Sequence, residues 1–138
     1  MESILGANSD FMATCERAAD ILGRFDGYFI ERLQVDSSYP GGRVDVFLRI
    51  GTDRPDVAIS LTGIVGIFTE NLLEMDASFV EEMTVECIPG AETLWPRGLE
   101  RLGCRPSGFP DVARLVIAGP MALEVVARTI SISVAQVY

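Results

Sequence analysis

Arg43-Val44-Asp45-Val46-Phe47-Leu48-Arg49-Ile50 alternates strictly: Val44, Val46, Leu48 and Ile50 fall on one side, and Arg43, Asp45, Phe47 and Arg49 on the other. Only an extended chain separates those two sets, because successive side chains of a strand point to opposite faces. The same period recurs on either side of this stretch. Downstream, Gly51 to Pro55 turns the chain, and Val57, Ile59 and Leu61 then oppose Ala58, Ser60 and Thr62. Upstream, Tyr39-Pro40-Gly41-Gly42 is a strong turn signal. It follows the β-rich segment Tyr28 to Val35, whose alternation breaks near Glu31 as a bulge would make it. Three strands joined by short turns are most simply an antiparallel meander.

Outside the meander the signals are less regular. Residues 8 to 22 read as a helix: Asn8 or Ser9 can cap it, and Phe11, Cys15, Ala18, Ala19 and Leu22 recur at helical spacing before Gly23 stops it. Gly63 to Met75 fits either state, with Ile64 to Phe68 continuing the strand, or Phe68, Leu72 and Met75 forming one or two helical turns. Phe79 to Ile88 alternates again, setting Phe79, Met83, Val85 and Cys87 against Glu82, Thr84 and Glu86. Pro89 to Pro110 is an excursion rich in Pro and Gly, with a short helix expected near Trp95 to Leu102. Val112 to Ala118, Gly119-Pro120 and Ala122 to Ala135 close the chain as a hairpin with a long last strand. Val112 to Ala118 is apolar on both faces, so that strand needs cover on both sides.

The expected architecture is one mainly β (α+β) domain spanning residues 1–138. It is an antiparallel β-sandwich or a curved sheet of about six to eight strands, with an N-terminal helix laid across it and one short helix. Val46, Leu48, Ile59, Leu61, Met83, Val85, Ile117 and Ile132 form its expected core.

Composition excludes several chemistries. The chain has no histidine, and its eleven cations are all arginine. The commonest metal ligand and general base are therefore missing, and Ser-His-Asp and Cys-His sites cannot be assembled within one chain. Without lysine there is no Schiff base and no P-loop. No catalytic cluster, cofactor or metal is expected, and the protein reads as non-enzymatic. The apolar runs Leu115 to Ala118 and Leu123 to Ala127 are too short to span a bilayer. Met1-Glu2-Ser3-Ile4-Leu5 lacks a secretory pattern. Cys15, Cys87 and Cys104 are odd in number and widely spaced, so a reducing cytoplasm is the expected compartment.

Between Arg54 and Arg97 there is no cation but there are eight carboxylates: Asp56, Glu70, Glu74, Asp76, Glu81, Glu82, Glu86 and Glu92. That stretch holds −8 of a net charge of −9. Such a field favours fast encounter with cationic partners and repels nucleic acid. Glu70, Glu74, Asp76, Glu82 and Glu86 are the candidate partner-binding residues, a docking face for a basic protein. Two other readings stay open: a Ca²⁺ or Mg²⁺ site, for which no loop has EF-hand spacing, and a solvated face that keeps an edge from pairing. Paired carboxylates also serve glycoside hydrolysis, but a single Trp offers little aromatic lining for a sugar.

The remaining candidates are weaker. Arg97, Arg101 and Arg105 could clamp a phosphate or meet an acidic partner, or form a solvated helix face paired with Glu100. Gly41-Gly42 and Gly63-Ile64-Val65-Gly66 read as turns, since neither has the spacing of a phosphate loop. Cys15 and Cys87 read as packed thiols, and Cys104 beside Arg105 is the one cysteine with a case for reactivity. Trp95 anchors the excursion or, if exposed, marks a binding loop.

Gly27-Tyr28-Phe29-Ile30-Glu31 opens a strand, Val44 to Ile50 and Val57-Ala58-Ile59-Ser60-Leu61-Thr62-Gly63 continue the meander, and Gly119-Pro120 leads into Leu123-Glu124-Val125-Val126-Ala127. This succession resembles the small immunity proteins of bacterial polymorphic toxin systems. The resemblance implies a cytosolic antidote that binds a cognate toxin domain and blocks its active site. An acidic face suits that role when the toxin is a nuclease with a basic groove. The excursion departs from the pattern, and no binding residue is carried over from the family. The expected function is thus a non-enzymatic binding protein of the immunity class with a basic protein partner. The alternatives are a small-ligand-binding or enzymatic domain with a pocket between sheet and helix, and a structural homo-oligomer, such as a homodimer.

Overall fold

The computed structural model describes residues 9–51, 54–70, 79–90, 95, 98–103 and 108–135. The chain runs through a helix, α1 (Ser9–Leu22), and a 3-10 turn at Gly23–Phe25 before the strands begin. These are β1 (Phe29–Asp36), β2 (Arg43–Arg49), β3 (Val57–Glu70), β4 (Glu82–Ile88), β5 (Val112–Ala118) and β6 (Ala122–Val134). They make one six-stranded sheet in the order β1-β2-β3-β6-β5-β4, with every neighbouring pair antiparallel. Of the two expected arrangements, the single curved sheet is the one that forms.

The curvature is visible at the edges. Although β1 and β4 lie at opposite ends of the strand order, Phe29 makes an antiparallel bridge with Phe79 just ahead of β4. The Gly27 N–H donates to the Val80 carbonyl at 2.8 Å, and the Val80 N–H donates to the Tyr28 carbonyl at 2.8 Å. The two phenyl rings meet edge to face, 5.5 Å between centroids, a favoured aromatic geometry. One corner of the sheet is thereby drawn shut.

Three of the four apolar residues of the opening octapeptide line the interior: Val44, Val46 and Leu48 are fully buried beside Val57, Ile59 and Leu61, whereas Ile50, just past the end of β2, is exposed. Met83, Leu115, Ile117, Leu123 and Val125 complete the same cluster, which α1 covers with Cys15, Ala18 and Leu22. Of the expected core, Val85 and Ile132 are only half-buried. The bulge expected near Glu31 is present as a register shift between Ile30 and Arg32.

The ambiguous stretch after Gly63 is strand as far as Glu70, with a second register shift between Ile64 and Gly66 against β6. Leu72 and Met75, which the helical alternative needed, lie outside the described residues. In the excursion, the described part of the expected Trp95–Leu102 helix is a 3-10 turn at Glu100–Leu102.

The excursion folds back over the outer face of the sheet. Leu99, Ile88, Val112 and Val126 are buried together, with Val65, Trp95, Leu102 and Phe109 packed around them. Approach is close enough that a Cβ on Gly66 would lie 2.5 Å from Leu102 Cδ2. This second cluster is the cover that the two-sided apolarity of β5 requires.

Candidate binding face and recess

Glu70 and Glu82 stand on one face at opposite ends of a cross-strand row. Glu82 pairs with Ala118, Ala118 with Ala122, and Ala122 with Glu70, and directly opposed residues share a face. Three inter-strand steps separate their backbones by roughly 14 Å. Both are exposed, and the residues between them are alanines. Beside this row runs a groove of about 530 Å³ whose walls include Phe68, Glu70, Arg101, Val116, Ala122 and Glu124.

Glu86 shares that face but is already occupied. It lies opposite Arg114 on β5, whose Nη1 is 3.3 Å from Glu86 Oε1 and whose Nε is 2.5 Å from Glu124 Oε2. Arg101 Nη2 reaches the other Glu124 oxygen at 3.0 Å, with its guanidinium carbon 3.6 Å from the Phe68 ring centroid. Burial works against the Arg114 charge, but Glu124 and then Glu86 outweigh it and hold the guanidinium protonated. Two carboxylates and two guanidiniums alternate along this chain and cancel. The acidic field is therefore concentrated at the Glu70 and Glu82 end of the face.

Glu74 and Asp76 lie outside the described residues, as do Glu92, Arg97, Cys104 and Arg105. Arg101 departs from the expected local pairing: it crosses to Glu124, while the Glu100 carboxylate accepts the Gly98 N–H at 2.9 Å. Trp95 is half-buried and meets Phe109 edge to face at 5.6 Å, as an anchor of the excursion does. Cys15 and Cys87 lie within hydrogen-bonding reach of each other between α1 and β4, and burial, reinforced by Cys87, pushes the Cys15 thiol up to about 12. Neither thiol is poised as a nucleophile, since the thiolate is the reactive form. Among the described residues no group of three or more Cys, Asp or Glu is arranged to hold a metal ion.

A larger open recess, about 900 Å³, lies where the start of α1 meets the sheet. Phe11, the Tyr39–Gly41 turn, Thr62, Gly63, Asp111, Arg128 and Thr129 line it. A pocket between sheet and helix was one of the alternatives open from the sequence, but its lining residues were not legible there, nor was the bridge that Arg114 makes between Glu86 and Glu124. Each depends on register: Arg114 is 28 positions from Glu86, and only the pairing of β4 with β5 brings them together. Comparison with protein families, curated proteins and solved structures found no match.

Proposed function

We propose that this protein is a non-enzymatic binding module that docks a basic protein partner on the outer sheet face, at the end bearing Glu70 and Glu82. The observation that carries the reading is the row Glu70–Ala122–Ala118–Glu82. Two exposed carboxylates flank a floor of small side chains, so a cationic group can settle between them without steric obstruction. Exposed charges of this kind mainly accelerate encounter and select partners, rather than supplying most of the affinity. Glu86 takes no direct part, being tied to Arg114. The immunity resemblance gives the partner its class: a toxin domain with a basic, substrate-binding groove, neutralised by being covered.

The test is association kinetics against a basic nuclease toxin domain encoded in the adjoining gene, comparing wild type with the double variant Glu70→Gln and Glu82→Gln. Both side chains are exposed, so thermal stability should hardly change. The association rate should fall several-fold at low salt, and the difference should shrink at physiological ionic strength, where screening acts over about 8 Å. An association rate unaltered by the double substitution at low salt would defeat the proposal.

A further inference from the structure

The 900 Å³ recess lies where the regular ladder of the sheet is broken. The β3–β6 register shifts between Ile64 and Gly66, and on β6 Arg128 and Thr129 are both exposed before burial returns at Ile130. Gly63 has φ +67°, and a Cβ there would lie 2.8 Å from the Cβ of Arg128 and 3.0 Å from its Cγ and Cδ. The aliphatic stem of Arg128 therefore lies directly across Gly63, a position that only glycine fills without strain. The facing turn is fastened to the same point: the Ile64 N–H donates to the Gly41 carbonyl at 2.8 Å, and the Gly63 N–H to the Gly42 carbonyl at 3.1 Å. Bulges of this kind re-aim side chains and recur beside binding sites.

The charge that this kink presents to the recess is uncompensated, as are those of Arg17, Arg24, Arg32 and Arg54 elsewhere among the described residues. Arg43, Arg49, Arg101 and Arg114 each pair with a carboxylate. Arg128 makes no ion pair or side-chain hydrogen bond among the described residues, although the chain carries a net charge of −9. Next to it the Thr62 and Thr129 hydroxyls touch, one donating to the other, and the accepting hydroxyl keeps its own O–H free to donate to an anion. Phe11 and Tyr39 supply apolar wall. Asp111, elsewhere on the lining, accepts the Gly90 N–H through Oδ1 at 2.6 Å.

We propose that this recess binds a small organic anion, a carboxylate or phosphate carried on a flat apolar body. Arg128 receives the anionic group with a threonine hydroxyl beside it, and the body lies against Phe11 and Tyr39. A planar guanidinium suits such groups because it offers paired donors in fixed geometry. The Asp111 carboxylate disfavours a second negative charge, so the far end of the ligand is neutral or a hydrogen-bond donor. This site is separate from the Glu70 and Glu82 face and stands independently of it.

The test is a ¹⁵N-resolved NMR titration of the full chain with 4-hydroxybenzoate, inorganic phosphate and 4-methylphenol, which lacks the anionic group. The hydroxybenzoate should give saturable shifts centred on Gly41, Gly63, Arg128 and Thr129, and 4-methylphenol should give none. Arg128→Gln should weaken binding roughly ten- to a hundredfold, the worth of one charge-assisted hydrogen bond. Arg128→Lys, which keeps the charge and a long stem, should retain part of it. No saturable shift with either anion, equal binding by Arg128→Gln, or equal binding of 4-methylphenol overturns the proposal. Binding of phosphate without hydroxybenzoate overturns the assignment of an apolar body.

Discussion

Asp45 sits on the face that alternation marks as outward, yet it is the one buried charged residue among those described, 9% exposed. Burial opposes its ionisation, but hydrogen bonds from Arg43 and Ser60 more than offset that and hold its carboxyl below the usual range. The contacts are short: Arg43 Nε lies 2.9 Å from Oδ2 and Ser60 Oγ 2.6 Å from Oδ1. A carboxyl whose folded value is depressed contributes stability above its unfolded value, near 3.9, and loses it as pH falls through the folded value. Asp45→Asn should therefore cost about 1–2 kcal/mol at neutral pH, since a nearly buried carboxylate loses its charge-assisted hydrogen bonds, one of them to an Arg43 that solvent still reaches. Urea unfolding at pH 7 and again well below pH 4 checks this, with the gap between wild type and variant narrowing in acid. A gap of equal size at both values would show that Asp45 matters through shape alone.

At the scale of elements, the necks of the excursion decide whether the second core forms. Gly90 and the stretch Phe109 to Asp111 pass so closely that a Cβ on Gly90 would lie 2.3 Å from the Phe109 carbonyl oxygen and 2.9 Å from the Pro110 carbonyl carbon. Backbone cannot step aside as a side-chain tip can, so Gly90→Ala should destabilise by about 1–3 kcal/mol. Gly23, with nothing within 4 Å of its would-be Cβ, is the control: Gly23→Ala should be neutral or gain up to about 1 kcal/mol. Chemical denaturation of the two variants, followed by Trp95 fluorescence, separates local loosening from a general glycine effect; equal losses would remove the neck from the account. The excursion also explains what the sequence hid. β2 was legible because one face is core and the other mostly is not, so burial repeats every second residue. β3 alternates likewise to Thr62 and then stays half-buried on both faces, because Leu99, Leu102 and Phe109 cover its outer side with Val65 between them. The period disappears there, and helix and strand look alike. The bulge at Glu31 was legible because an extra residue interrupts the alternation itself. The pairing of Glu86 with Arg114 was not, since β5 carries no mark of which strand it will meet.

For the whole molecule, the decisive quantity is a net charge of −9 on a small, curled sheet. The favourable contacts are short-ranged: Arg114 and Glu124 are 21% and 14% exposed at 2.5 Å, and salt reaches such pairs poorly. Self-repulsion among exposed carboxylates acts over longer distances and is screened beyond about 10 Å at 0.1 M salt. Added salt at pH 7 should therefore raise the thermal midpoint, the opposite of what surface ion pairs alone would give. Acidification acts twice and with opposite signs. From pH 7 toward the isoelectric point near 4.4, net charge shrinks and repulsion is relieved, so stability should rise. Below about pH 4 the unfolded chain takes up a proton at Asp45 that the folded protein resists, and the stability it contributes is progressively lost. The two effects together place the maximum at about pH 4–5, near the isoelectric point and above the range in which Asp45 titrates. Thermal melts across pH 3 to 8, at low and at high salt, test both parts. A midpoint that falls with salt at pH 7 would mean that local pairs outweigh the collective field, and the acidic face would then be a solvated surface held in place by its own arginines.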